Sequence, residues 1–201
     1  MKISNGVKKK FIILIAIILI LVAGGGFFWW QRREIKGNPE DYTIKETPEG
    51  KIVENKRAGL TVKVPEGWEA KKIEFLEGAI EFDTKDAEGT WRNGIMSAPF
   101  KKGCAIGGGM IYKKMSFDEI KKEIKDIHFG LGIKSDEFEE IEINNRKALK
   151  NSFDSTRIGP GISIYIPDKN KVYNFAVYWG PQDKDRCIQE FNNFLETVSI
   201  E

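Results

Sequence analysis

A charge-free apolar stretch near the amino terminus constrains this chain more than any other feature. Residues 11–30 read FIILIAIILILVAGGGFFWW, twenty residues without a charged side chain. A helix that rises about 1.5 Å per residue would carry this stretch across the hydrocarbon core of a bilayer, which is about 30 Å thick. The pattern therefore predicts a transmembrane helix.

A cleavable signal peptide is the main alternative for this stretch. Lysines precede the apolar run, and the small residues at 22–24 resemble a cleavage site. The run continues, however, to Trp29 and Trp30, which favour the membrane interface, and Arg32 and Arg33 follow. An uncleaved signal anchor explains more of the stretch, so we expect one. A buried core helix is disfavoured because soluble helices rarely lack a polar face.

Flanking charges and chain length predict the orientation of the anchor. Four lysines precede the apolar run, whereas Arg32, Arg33 and Lys36 follow it. Positive residues resist translocation, so we expect the amino terminus in the cytoplasm and the long carboxyl-terminal part outside. The chain then divides into a basic cytoplasmic tail (1–10), a transmembrane helix (11–30), a juxtamembrane linker (31–50) and an extracytoplasmic domain (51–201). This organisation predicts a single-pass protein of the cell membrane.

The charge of the exported part argues against a nucleic-acid partner. The chain has a net charge of +2, but residues 1–33 hold six basic and no acidic groups. The remainder therefore has 26 basic against 30 acidic groups, a net charge of −4. Nucleic-acid surfaces need clustered lysine and arginine to displace counterions. We therefore expect the membrane and a protein or cell-envelope component as partners, and no nucleic acid.

Apolar residues alternate along most of the exported part. This alternation predicts strands near 42–45, 59–64, 73–75, 80–82, 104–112, 139–143, 149–153, 162–166 and 173–179, with a short closing strand at 198–200. Residues 84–103 are polar and suggest only a short strand near Ile95 and Met96. Asn144 and Asn145 tolerate left-handed backbone and predict a hairpin turn.

Two helices interrupt the strands. Ser116 and Glu119 match a capping box at the start of the first helix. Its apolar residues recur at helical spacing and predict a buried stripe: Phe117, Ile120, Ile124, Ile127 and Leu131. A second helix is expected at 185–196. Hairpin-linked strands with two helices predict an α+β sandwich, in which an antiparallel β-sheet packs against both helices.

Three segments resemble the PsbP-like family of exported α+β domains. They are GLTVKVPEGW at 59–68, KVYNFAVYW at 171–179 and FNNFLETVSI at 191–200. The resemblance covers roughly residues 58–201 and implies an antiparallel sheet flanked by helices. The segments carry no metal ligand or partner residue of the family, so the resemblance implies no activity.

Reactive clusters are not apparent in the sequence. His128 is the only histidine, which excludes a multi-histidine metal site and favours a structural role. Gly107–Gly109 lack the Gly-Lys-Ser or Gly-Lys-Thr of a phosphate loop and suggest a bulge or a close backbone approach. The acidic runs at 83–88 and 136–142 do not match a calcium loop. We therefore expect no catalytic, cofactor-binding or metal-binding residues.

The two cysteines, Cys104 and Cys187, both fall in the part expected outside the cytoplasm. Oxidising compartments favour pairing, and two cysteines allow one intramolecular connectivity. We predict a Cys104 to Cys187 disulfide that ties the last helix to the sheet, with Cα atoms within about 7 Å.

A tethered compact domain without a reactive cluster favours a non-enzymatic role. We expect a membrane-anchored extracytoplasmic binding or assembly module, which is an inference by analogy of fold. Two alternatives stay open. One is a cell-envelope hydrolase or thiol-dependent enzyme that uses Cys104, and the other is a small-ligand carrier with a pocket between sheet and helices.

Overall fold

A computed structural model of the chain describes residues 38–73, 79–92, 95–131, 133, 135–155 and 159–201. The predicted transmembrane helix at 11–30 lies outside these residues. Across the residues described, no helix is long and apolar enough to cross a bilayer.

The described residues form thirteen β-strands, and every strand pair is antiparallel. The strands are β1 (Tyr42–Thr47), β2 (Gly50–Asn55), β3 (Leu60–Lys63), β4 (Trp68–Ile73), β5 (Ala79–Thr84), β6 (Glu88–Arg92), β7 (Ile95–Lys102), β8 (Cys104–Ile111), β9 (Ser135–Ile143), β10 (Arg146–Asp154), β11 (Gly161–Asp168), β12 (Lys171–Trp179) and β13 (Ser199–Ile200). Seven of them form the main sheet, in the order β4-β5-β8-β12-β11-β10-β9. A second sheet has the order β1-β2-β3-β13, and β6 pairs with β7 alone.

Two helices cover opposite faces of the main sheet. They are α1 (Phe117–Leu131) and α2 (Lys184–Glu196). On β12, Phe175 packs in the core that includes α2, whereas Val172, three positions earlier and so on the opposite face, packs in the cluster that includes α1. Successive strand residues point to opposite faces, so the two helices sandwich the sheet. This is the α+β fold with two packed helices that the sequence predicted.

Aromatic side chains hold α2 against the sheet. The ring of Phe194 lies 5.0 Å from that of Phe82 on β5 and 5.5 Å from that of Phe175 on β12, measured between centroids. Phe191 stacks against Phe194 on the same helix. All four rings are at most 1% exposed. Burial of aromatic area of this kind is among the largest favourable contributions to folding.

Helix α1 confirms its predicted cap but not the whole of its predicted stripe. The Ser116 amide donates to the Glu119 carboxylate over 2.8 Å, and the Glu119 amide donates back to the Ser116 hydroxyl. Ile120 and Ile124 are buried against Leu149 and Val172, but Ile127 is 56% exposed. Three residues are less than one turn, so Ile127 falls on the flank of the stripe. The prediction that Ile127 is buried was wrong, because this side chain lies outside the cluster that Ile120 and Ile124 form with the sheet.

The strand expected near 42–45 belongs to the folded domain, although the domain was expected to begin at residue 51. β1 runs through residues assigned to the linker at 31–50 and pairs with β2, from Tyr42 opposite Asn55 to Thr47 opposite Gly50. β2 is hard to see in the sequence because its inward side includes the polar Asn55, which is fully buried. A second departure is the β6–β7 hairpin, formed where only a short strand near 95 was expected.

Candidate functional site

A groove of about 360 Å³ lies beside α2, between this helix and strands β9 to β11. We call it the α2 groove. Its lining combines isoleucine, phenylalanine and leucine side chains with a polar rim: Glu139, Ile141, Glu142, Ile143, Asn144, Lys150, Ile162, Ile164, Ile188, Phe191, Asn192, Leu195 and Glu196. The volume is within the range of binding sites for small molecules and for side chains of a partner.

The groove exists because the main sheet is wider than the helix that covers it. α2 contacts β12 and β8 near the centre of the sheet. Strands β10 and β9 continue the sheet beyond this contact. As a result, Ile141 on β9, Ile162 on β11 and Ile188 on α2 pack against the core but stay only partly buried. These three isoleucines give the groove an accessible apolar floor.

A single asparagine joins the β9–β10 hairpin to the end of α2. Asn144 has φ = 50° in the turn, and its side-chain amide donates to the carbonyls of Leu195 (3.1 Å) and Val198 (2.8 Å). The last carbonyls of a helix lack partners within the helix, and this amide provides a donor to one of them, that of Leu195, and to the carbonyl of Val198 just beyond the helix. The contact sets the position of the hairpin relative to α2 at one end of the α2 groove.

The rim of the α2 groove carries an excess of negative charge. Glu139 forms an ion pair with Lys150 on β10, at 3.0 Å. Glu142 and Glu196 are exposed, and neither makes an ion pair with a described residue. An apolar floor between unpaired carboxylates favours a ligand that presents apolar groups flanked by positive charge.

Cys104 and Cys187 lie together at disulfide distance, with Cα atoms 5.5 Å apart. Both side chains are fully buried. Cys104 opens β8 and Cys187 lies in the first turn of α2, so the pair meets the geometric condition of the predicted disulfide. It ties α2, one wall of the α2 groove, to the central strands. The thiol-dependent alternative requires a free thiol at Cys104, and the structure has none there.

The other candidate residues form no common site. Gly107–Gly109 lie inside β8, and at Gly108 an added Cβ would stand 3.0 Å from Ile80 and 3.3 Å from Phe175. Side chains of the two neighbouring strands therefore pack closely against the backbone at this glycine. His128 lies on α1, and its side chain is outside the described part. Among the described residues, no group of three or more histidine, cysteine, aspartate or glutamate side chains could hold a metal ion.

Sequence reasoning missed a pair of carboxyl groups on β5. Glu81 is only 8% exposed, and its neighbour on the same face is Asp83. Burial, with the adjacent Asp83, raises the pKa of Glu81 to about 8, and burial also raises that of Asp83. Lys71 on β4 lies 3.6 Å from Asp83. In the sequence the two carboxylates alternate with Ile80 and Phe82, which is typical of a solvent face.

The Glu81 pair is on the sheet face opposite the α2 groove. Glu81 alternates with Phe82, which belongs to the α2 core. On the neighbouring strand β8, Gly107 pairs with Glu81 and Ala105 pairs with Asp83. Small residues therefore stand beside both carboxyl groups. Because burial raises the pKa of both carboxyl groups, the pair favours a protonated form. It is a buried structural feature of the sheet and does not contribute to the α2 groove.

Comparison with known proteins gave no match to a protein-family model and none to a curated protein. Among solved structures, the chain is similar to a cyanobacterial PsbP protein (CyanoP) from Synechocystis, with a TM-score of 0.49, 8% identity, and coverage of 80% of this chain and 92% of that one. It is also similar to a Pseudomonas aeruginosa protein of unknown function described as a putative regulator, with a TM-score of 0.48, 13% identity, and coverage of 80% and 97%. One of these similar structures is thus a PsbP protein, from the family that the three sequence segments resemble, and at these values the likeness concerns the fold alone.

Proposed function

We propose that this chain is a membrane-anchored, extracytoplasmic binding module whose α2 groove takes a segment of a protein partner in the cell envelope. The anchor at 11–30 and the orientation of its flanking charges support the location. The paired cysteines fit an oxidising compartment, because disulfides persist outside the cytoplasm and are rare inside it.

The α2 groove is the observation that carries the proposal. Partly buried Ile141, Ile162 and Ile188 form a floor that a partner could cover, and their burial would contribute roughly 25 cal/mol per Å² of apolar surface removed from water. Glu142 and Glu196 on the rim would select the charge of the partner and leave the floor to supply affinity.

Two neighbouring asparagines offer a matched test in living cells. Asn192 lines the α2 groove, whereas the adjacent Asn193, which is also exposed, does not. A photo-reactive amino acid is placed at either position in the full chain and irradiated in intact cells. We expect a discrete cross-linked product from position 192 and none, or much less, from position 193.

A substitution on the groove floor tests whether the cross-link depends on the α2 groove. An Ile188→Asp change in the same chain puts a charge on the groove floor, and it should abolish the product from position 192 while the disulfide-bonded fold persists. Equal products from positions 192 and 193, or a product that survives Ile188→Asp in a folded protein, would rule out the α2 groove as the binding surface.

A small-ligand carrier is the second candidate, favoured by the position of the α2 groove between the sheet and a helix. A carrier should bind a neutral apolar dye such as Nile red in the purified full chain, and Ile188→Asp should remove that binding. A protein-binding groove that is open along the β9 side is expected to bind such a dye weakly, while the cross-link from position 192 is retained.

A further inference from the structure

Strand β9 is a long, regular edge of the main sheet. It pairs with β10 through nine consecutive residue pairs, from Ser135 opposite Asp154 to Ile143 opposite Arg146, without a bulge. Within the part of the chain that the structure describes, no strand pairs with its outer side. An unpaired edge of this kind presents backbone N–H and C=O groups that an extended segment can satisfy.

The other edge of the same sheet has protection that β9 lacks. β4 is six residues long and carries Lys71 and Lys72, and lysine on an edge discourages strand pairing. β9 has nine residues, SDEFEEIEI, with five acidic and no basic side chains. Acidic residues repel a second copy of β9 but not a basic strand. The acidic composition of β9 therefore argues against pairing between two copies of this strand and favours a basic strand as the partner.

The two faces of β9 differ in what they offer an added strand. On one face, helix α1 covers the strand, because Lys121 pairs with Glu140 at 3.6 Å and Lys125 lies 5.6 Å from the Phe138 ring. On the other face, Ile141 and Ile143 line the α2 groove. Side chains of an added strand would extend that floor on the groove face only.

Charge along β9 defines the partner further. Glu139 and Glu140 are in ion pairs with lysines of this chain, whereas Glu137 and Glu142 are exposed and make no ion pair with a described residue. Glu137 lies toward the start of the strand and Glu142 at its end. A matching strand therefore has basic residues toward both ends and apolar residues opposite Ile141 and Ile143.

We propose that β9 is the docking edge for a basic, extended segment of the protein partner, which adds to the main sheet as an antiparallel strand and places alternate apolar side chains in the α2 groove. This deepens the proposed function and rests on it. Backbone hydrogen bonds to β9 supply the affinity, and the carboxylates of Glu137 and Glu142 set the charge preference.

The probe is an acetylated and amidated peptide, Val-Lys-Val-Thr-Lys-Thr-Lys. It is designed to pair antiparallel with β9, with its first residue opposite residue 143 and its last opposite residue 137. Hydrogen–deuterium exchange of the full chain in detergent micelles is measured with and without it. We expect slower exchange in the 135–143 segment. A peptide of the same pattern with glutamate in place of lysine should give no slowing.

Backbone methylation separates strand addition from charge attraction. Two further peptides carry N-methyl groups at the odd-numbered or the even-numbered residues, so each keeps its side chains and its charge. In an added strand only one set of amides faces β9, so one methylated peptide should lose the effect and the other retain it. Equal behaviour of the two methylated peptides would overturn strand addition.

Variants of the chain test the charge preference. Glu137→Lys with Glu142→Lys should weaken binding of the probe by about fivefold or more, because two attractive pairs of exposed charges are replaced by two repulsive ones. Glu49→Lys with Glu66→Lys, at exposed positions away from β9, is the matched control and should leave binding unchanged. Equal weakening by both pairs would overturn the role of Glu137 and Glu142.

This inference and the proposed function fail in different ways. If the peptide protects groove residues of α2 but neither methylated set matters, the α2 groove binds its partner through side chains and strand addition is wrong. If position 192 gives no cross-link in cells while the peptide still protects β9, the groove role is wrong and an edge-binding activity is left.

Discussion

At the scale of single residues, the buried carboxyl of Glu81 should make the stability of the fold depend on pH. Burial beside Asp83 raises its pKa from 4.5 to about 8 in the folded protein. A folded state that holds a proton more tightly than the unfolded state loses stability as that proton is released. Its contribution is therefore full below pH 4.5 and is lost as the pH rises to about 8.

Substituting Glu81→Gln, which keeps the shape and removes the ionisation, should flatten this dependence. The free energy of unfolding, measured by denaturant titration between about pH 5 and 9, should decline in the parent protein and decline less in the variant. The exposed Glu66→Gln is the control and should leave the decline unchanged. The same decline in the parent protein and in Glu81→Gln would show that Glu81 ionises at its ordinary pKa.

The paired cysteines are the second feature that acts at this scale. The sequence separation of 83 residues gives a loop-closure estimate of about 4.5 kcal/mol for the bond, less any strain in the native state. Replacing Cys104 and Cys187 together by alanine should lower the free energy of unfolding by a few kcal/mol. Both positions are fully buried, so a loss well below 1 kcal/mol would mean that the parent protein lacks the bond.

Between the elements, Asn144 links the β9–β10 hairpin to α2, and a neighbouring asparagine separates its two contributions. Asn144 and Asn145 both have positive φ, at 50° and 61°, but it is the Asn144 side chain that donates to the carbonyls of Leu195 and Val198 at the end of α2. Glycine tolerates this backbone, so Asn144→Gly removes only the side-chain amide. We expect it to lower stability by about 1 to 2 kcal/mol, and Asn145→Gly to be neutral or slightly stabilising. Equal losses in thermal unfolding would show that the turn, and not the contact with α2, matters.

The elements also show how far local patterns reach. The β9–β10 hairpin was predictable because the Asn144-Asn145 turn divides two alternating runs, and the start of α1 was predictable from Ser116 and Glu119. β2 was not, because its buried Asn55 breaks the apolar alternation. The burial of Glu81 was missed for the opposite reason, since a polar residue that alternates with buried ones is usually exposed. In both cases tertiary packing overrides the pattern.

At the scale of the whole molecule, the candidate site follows from a mismatch in width that no local pattern records. Among the described residues, the main sheet has seven strands, and α2 covers its centre. Strands β10 and β9, at one edge, are therefore only partly covered on the face that α2 packs against. Sequence periodicity assigns Ile141 and Ile162 to the inward side of their strands, but not which of them the helix reaches. The position of α2 depends on long-range contacts such as the pairing of Cys104 with Cys187.

One measurement tests location and binding together. Asn192→Cys or Asn193→Cys is introduced into the full chain, and the rate of modification by a membrane-impermeant maleimide is compared between intact spheroplasts and the purified protein. We expect both positions to react without permeabilisation, and the ratio of the rate at 192 to that at 193 to be several-fold lower in spheroplasts, because a partner covers the α2 groove. Labelling that requires permeabilisation would contradict the orientation, and an unchanged ratio would contradict the groove as the occupied surface.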